Sequence, residues 1–372
     1  MFSDRTLINR RNVKGNVSAA ANACRRFFQL EVEARVIAAS MKVLGMKSLG
    51  DKHPVNHPLP EAGQSVAERK HYLQNVALHV VDTFIVDKKM NEHLQQSALF
   101  LEQDKADSQG RFPCRFPGCP KSFVHNGKLR KEHESKHNPP VAAGAHHELP
   151  VEGDDDMLAY QKALLDYGIL ILNFFDAIAE ADGDRVLRCW KFFLMYLKHQ
   201  EGFSSKYALE ALYLMFQVYG ILSPQASHRL VWNRFIKNKP GIGCHIPLDL
   251  QLEFYNKFVK EAIKNLGPNA TGKSMNRICH SLGLTTELMK TFDNNFGVFK
   301  RSGRHSKKST TGDLNKIVKE LVSQNAFTYT SGRSYRCYAG IKSSLLSGFD
   351  MRKMYTWINK HKKNMILGRH AR

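Results

Sequence analysis

Two thiols and two imidazoles crowd into one short stretch of this chain, FPCRFPGCPKSFVHNGKLRKEHESKH, residues 112–137. Cys114 and Cys119 are separated by four residues, a span that a tight knuckle closes. His133 and His137 lie four positions apart and so face one side of a helix. A zinc ion takes tetrahedral sets of cysteine sulfur and histidine nitrogen, and the pattern C-x4-C-x13-H-x3-H supplies one. The expectation is a bound Zn²⁺ with Cys114, Cys119, His133 and His137 as its ligands, which ties this stretch to a small ββα unit.

Phe123, four positions after the second cysteine, and Leu129, six further on, are the two apolar residues expected to pack behind the metal. With them, and with the PGC turn and the K-S-F that follows, the segment resembles the C2H2 zinc-finger family. It departs from the commonest form in having three residues between Leu129 and His133. The resemblance implies that side chains near the helix start meet bases in the major groove, about three base pairs per finger, and Asn126, Lys128 and Lys131 lie there. One finger buries little surface. No second one follows, because Cys244-His245 and Cys279-His280 lack partner pairs at finger spacing. The unit is therefore an accessory nucleic-acid contact, a zinc-stapled structural insert, or a protein-binding module.

Charge is distributed unevenly. The chain has 372 residues and a formal net charge of +21, with 42% hydrophobic residues, enough to build a core. Residues 1–150 hold 22 Lys+Arg against 15 Asp+Glu, residues 151–299 hold 16 of each, and residues 300–372 hold 17 against 3. A neutral body with a basic C-terminal part is the electrostatic footprint of a polyanion binder, here DNA or RNA. The alternative is a solvated surface with nuclear-import signals, for which KRSGRHSKK (300–308) and KHKK (360–363) would serve. A polar, basic start and no apolar run near the roughly 18 residues of a membrane span imply no signal peptide and no membrane partner. Seven cysteines, five of them scattered singly, suit a reducing intracellular compartment, and a nuclear location is expected.

Apolar residues recur at helical spacing over 17–44, 67–86, 90–101, 157–179, 185–198, 205–221, 224–237 with Ser223 as its cap, 248–266, 274–282 and 313–323. The fold class is mainly α, a multi-helix body with one inserted ββα zinc finger. Outside the finger the one strand candidate is a hairpin over 326–338. The expected organisation is an N-terminal helical part (1–108), the finger (109–140), a linker (141–156), a helical core (157–299) and the basic C-terminal part (300–372). His53 and His57, in a proline-rich loop, have no third ligand nearby and read as loop histidines. Asp154, Asp155 and Asp156 sit where a helix N-terminus welcomes negative charge.

The strings LINRRNV, EVEARVIAA, DAIAEADGDRVLRCWKFF, YALEAL and VWNRF, the last followed by IPLDLQLE, resemble an uncharacterised domain family with many copies in invertebrate and fungal genomes. Some of its members carry such a finger. The multi-copy habit implies descent from a transposable element. Longer members carry an N-terminal portion with a GDQLT-like string, so this chain is expected to start downstream of it.

A metal-dependent nuclease or transposase would need carboxylates converging on two Mg²⁺ ions. Candidates are Asp182 and Asp184 in ADGD, Glu210 in YALEAL, and Asp249 with Glu253, four apart on one helix face. Each also reads as a cap, a turn or helix decoration. GPNATGKS, 267–274, matches the phosphate-loop pattern G-x4-G-K-[ST], but a helical stripe precedes it where a buried strand should run in. Gly267 then reads as a helix-ending glycine and Thr271 as the next cap. FTYTSGRSYRCYAGIK, with Phe327, Tyr329, Arg333, Tyr335, Arg336 and Tyr338, suits either base stacking or a hairpin with a buried tyrosine face. These residues predict a binding protein rather than an enzyme, one that contacts nucleic acid through its finger and basic C-terminal part. A partial or degenerate transposase or nuclease and a zinc-stapled interaction scaffold are the alternatives.

Overall fold

The architecture is mainly α. The computed structural model describes residues 7–8, 21–51, 54–60, 63–86, 95, 106–116, 118–137, 154–199, 204–238, 240–295 and 310–368. In chain order the elements are α1 (Ala21–Leu44), α2 (Val66–Phe84), β1 (Phe112–Pro113), β2 (Ser122–Phe123), α3 (Lys128–His137), α4 (Asp156–Glu180), α5 (Gly183–His199), α6 (Ser204–Phe216), α7 (Pro224–Trp232), β3 (Phe235–Lys237), β4 (His245–Pro247), α8 (Leu248–Leu266), α9 (Gly272–Asn295), α10 (Thr311–Ser323) and α11 (Met351–Ile366). The expected helix over 90–101 apart from residue 95, His53, most of the 141–156 linker and the basic run 300–308 lie outside the described residues.

Three expectations are corrected. The helix from Pro224, capped by Ser223 Oγ accepting from the Ala226 amide, ends at Trp232 rather than at Lys237. Its predicted last turn is instead β3, paired antiparallel with β4 through Ile236 and Ile246. Such short strands show no alternation to read. Residues 326–338 form turns and a 3₁₀ turn at Arg336–Tyr338 in place of a hairpin. The third correction is α11, a helix not anticipated within the basic C-terminal part.

Two compact units divide the chain: residues 1–171, 193–212 and 311–372 form the first, and 172–192 with 213–310 the second. In the first, Phe27, Leu30, Ala34, Ala38 and Met41 line one face of α1 at spacings of three and four, against Val80 and Phe84 of α2 and Ile317, Val318 and Leu321 of α10. Each such large side chain contributes about 1.5–3 kcal/mol by leaving water. Within this apolar setting Arg35 pairs with Glu31 one turn away and donates from Nε to Gln161 Oε1 at 2.8 Å. Both charges are buried and hydrogen-bonded, the condition under which buried ions persist. A capping box closes the start of α2, where the Ser65 and Glu68 side chains each accept from the other's backbone amide.

In the second unit, Ala181 adopts a left-handed φ of 58° and ends α4, and Asp182 Oδ1 accepts from the Arg185 amide at 3.0 Å to start α5. Gly183 follows because α7 leaves no room for more: a Cβ there would lie 2.5 Å from the Val231 carbonyl oxygen. Gly183→Ala is therefore expected to cost about 1–3 kcal/mol through overpacking, read as a lower urea midpoint. An unchanged midpoint would mean that α7 yields freely.

Candidate metal centre

Residues 106–137 build a site from very little regular structure. β1 and β2 pair antiparallel, Phe112 opposite Phe123 and Pro113 opposite Ser122. Between them the chain closes a knuckle in which the Cys114 amide donates to Lys121 O at 2.8 Å and the Cys119 amide to Phe116 O at 3.1 Å. Gly118 makes the reversal at φ 82°. Helix α3 then brings in both histidines from one face. The ligand atoms of Cys114, Cys119, His133 and His137 lie within 4.8 Å of one another, and this is the one such group of three or more metal-binding side chains among the described residues. His133 Nε2 is 2.9 Å from His137 Nε2 and 3.4 Å from Cys119 Sγ. Tetrahedral zinc with ordinary bond lengths needs ligand separations of about 3.3–3.8 Å, so small rotations seat it. The donor set fits a metal ion.

Aromatic rings wall the site. Phe116 stacks on His137 with centroids 4.6 Å apart and planes 10° from parallel, and Phe123 lies 5.4 Å from His133. Desolvation, then the neighbouring His137, Lys121 and Lys136, hold the His133 pKa below the ordinary histidine value, which favours the neutral, ligating imidazole. Burial pushes the Cys114 thiol up, so in the metal-free unit that sulfur keeps its proton.

The expected apolar pair behind the metal is corrected. Phe123 is placed as expected, but Leu129 is 74% exposed, and the inward position belongs to Arg130, fully buried. At about 100° per residue, Arg130, Glu134 and His137 share the inner face with His133, while Leu129 falls outside that arc. The extra residue before His133 causes the exchange. A buried guanidinium needs partners. Arg130 has them: Nη1 donates to Asn126 Oδ1 at 3.0 Å, Nε lies 3.1 Å from Glu134 Oε1, and the group sits 6.0 Å from the Phe112 centroid. Glu134 also accepts from the Arg115 amide at 3.0 Å and from Arg115 Nη1 at 2.8 Å. This network ties the helix to the knuckle carrying the cysteines. Of the three residues expected near bases, Asn126 is thus engaged through Oδ1, Lys128 is exposed and 3.6 Å from Glu132, and Lys131 is exposed.

Residues 2–305 match a family of unknown function, DUF6589. The chain belongs to this family. No curated protein matches it, and no solved structure does. Several DUF6589 strings named above are packing elements in this structure. EVEARVIAA supplies Glu31, Val32, Ala34, Arg35, Ala38 and Ala39, all buried, and Gly183 in ADGD packs on Val231 in VWNRF.

The carboxylate candidates are not brought together. Asp182 caps α5 and lies 3.4 Å from Arg185 Nε, Asp184 and Glu210 are exposed, and Asp249 and Glu253 stand exposed in the first turns of α8. Among the described residues no three carboxylates converge. In the phosphate-loop string, α8 runs into Gly267, a 3₁₀ turn spans Gly267–Asn269, and Thr271 Oγ1 accepts from the Ser274 amide at 3.2 Å as α9 begins. Helix, turn and helix occupy the places of strand, loop and helix. Of the aromatic and basic string, Tyr338 stacks on Tyr160 at 4.7 Å and Arg333 pairs with buried Asp155 at 2.7 Å, so both are committed to packing.

What the periodicity missed is α11. Met354, Trp357 and His361, at spacings of three and four, turn inward, with Lys198 Nζ 5.1 Å from the Trp357 ring centre. Arg352, Lys353, Lys360, Lys362 and Lys363 are exposed. The helix contains no acidic residue. No described helix is long and apolar enough to cross a membrane.

Proposed function

We propose that this protein binds zinc through Cys114, Cys119, His133 and His137 and contacts DNA or RNA, in the nucleus, through its basic C-terminal part with the metal unit as an accessory contact. The observation that carries the reading is α11, where exposed Lys360, Lys362 and Lys363 crowd the last turns beside a seam of inward side chains, while Lys353 at the other end lies 3.9 Å from the Asp350 carboxylate. Lysines in solution gain little from one another. A polyanion gives such a row a partner and releases counterions in the process. The metal unit adds exposed Lys128 and Lys131. The departure at Leu129 argues against base reading there, because an apolar side chain finds only a thymine methyl to meet among base groups; phosphate contact falls to Lys128 and Lys131.

Fluorescence anisotropy with duplex DNA and single-stranded RNA across a salt series tests this. Replacing Lys360, Lys362 and Lys363 by alanine should lower the duplex salt slope by about 0.9 for each phosphate that is no longer neutralised. Equal slopes and affinities for the two proteins would sink the α11 interface. A second reading, a zinc-stapled protein-interaction scaffold, is favoured by one observation: Val124 and Leu129 on the metal unit are 61% and 74% exposed. Under that reading the alanine variant binds polyanion as the parent does, and Leu129→Glu abolishes partner capture.

A further inference from the structure

Helices α8 and α9, joined by the 3₁₀ turn and packed on each other, leave apolar side chains uncovered at regular intervals. Leu248, Leu252 and Tyr255, spaced four and three apart on α8, are 48%, 57% and 57% exposed. Leu284 and Leu288, four apart on α9, are 72% and 63% exposed. Single exposed leucines are ordinary, but rows at helical spacing on both arms of one hairpin form a seam that water covers poorly. Charge divides along the same hairpin. Its turn-proximal part, residues 257–280, carries five Lys+Arg against one acid, whereas the turn-distal parts, 248–256 and 281–295, carry four acids against one lysine. Lys257, Lys260, Lys264, Lys273 and Arg277 at one end are exposed, as are Asp249, Glu253 and Glu287 at the other.

We propose that this hairpin is an interface for a second copy of the chain, two hairpins packing antiparallel about a two-fold axis so that the basic end of each meets the acidic end of the other. A nucleic acid suits one end and is repelled by the other, and it has no use for the apolar rows. The exposed apolar side chains all lie at the acidic end, so this pairing sets them against the aliphatic stems of the partner's basic-end lysines. An oppositely polarised partner suits both ends, and the chain itself is that partner. In a two-fold interface every contact occurs twice, so the match of basic end to acidic end is made at both ends of the paired hairpins.

The test is the mass of the full chain, zinc present, by light scattering and sedimentation over a concentration series. Two charge-reversed variants accompany the parent: Lys260→Glu with Lys264→Glu, and Glu253→Lys with Glu287→Lys, all at exposed positions. The parent is expected to dimerise. Each variant alone sets like charges against like and should dimerise at least about tenfold more weakly. Mixed in equal amounts they regain complementarity at both ends and should form a heterodimer as tight as the parent, which also shows that both are folded. A parent still monomeric at about 100 μM overturns the proposal, as does dimerisation indifferent to either reversal, a mixture that stays monomeric, or association seen only with nucleic acid added.

Discussion

Freshly purified protein is expected to carry about one zinc ion per chain, and Cys119→Ser or His133→Ala to lose the ion and unfold residues 106–137 while the helical units stay folded. The unit around the site has two strands of two residues and one ten-residue helix, so it has almost no apolar core to fall back on. Its inward positions hold two rings, an arginine and the ligands themselves. Structural zinc of this kind contributes an apparent 10–16 kcal/mol, about the whole stability of a small domain, so the loss of one ligand is decisive locally. Elemental analysis measures the ion and far-ultraviolet dichroism the helices. Zinc below about half an equivalent in the parent would sink the assignment, and collapse of the entire helical signal in either variant would show that the unit is no separate module. Because burial raises the Cys114 thiol pKa and that proton must leave when the metal binds, binding should tighten as pH rises, through neutrality and on toward the raised thiol value.

How legible this was in the sequence depends on how local the controlling chemistry is. The four ligands could be read because their spacing and donor atoms fall within 24 consecutive residues. Gly267 was readable for the same reason: the stripe Tyr255, Val259, Ile263, Leu266 precedes it directly and implies a helix, and α8 runs there. Leu129 misled, because hydrophobicity pointed it inward, while one inserted residue rotated it outward and Arg130, with Asn126 and Glu134 placed to receive it, took the buried place. The β3–β4 hairpin is too short to show a period. In α11 the abundance of lysine hid a seam of only a few inward side chains. Least legible was the partner of Asp155, because Arg333 lies 178 positions away and nothing near either residue marks the other.

That pair also yields a prediction of large effect. Asp155→Ala and Arg333→Ala are each expected to cost about 3–5 kcal/mol and to loosen residues 328–340 from the start of α4, since each leaves a charge without its buried counterpart. The Asp155 side chain is 1% exposed. Its Oδ1 accepts from the Leu158 amide at 3.0 Å and Arg333 Nε at 2.9 Å, and its Oδ2 from the Thr330 amide at 2.8 Å and Arg333 Nη2 at 2.7 Å. Arg333 in turn reaches the carbonyls of Gln324, Asn325 and Thr328, and neighbouring Asp156 receives the amides of Tyr335 and Gly340. Two adjacent acids thus anchor a segment that has little regular structure of its own. Burial works to raise the Asp155 pKa, but the hydrogen bonds from Arg333, Leu158 and Thr330 outweigh it, and the net result is a pKa below the ordinary carboxylate value. A carboxyl depressed in the folded state adds stability above its unfolded pKa, near 4, and loses that contribution as pH falls through the lower folded value. Urea unfolding of the parent and of Asp155→Asn, which keeps the shape and removes the charge, should therefore show a wide gap at neutral pH that narrows in acid. An equally wide gap at about pH 3 would mean that packing rather than charge holds the C-terminal segment.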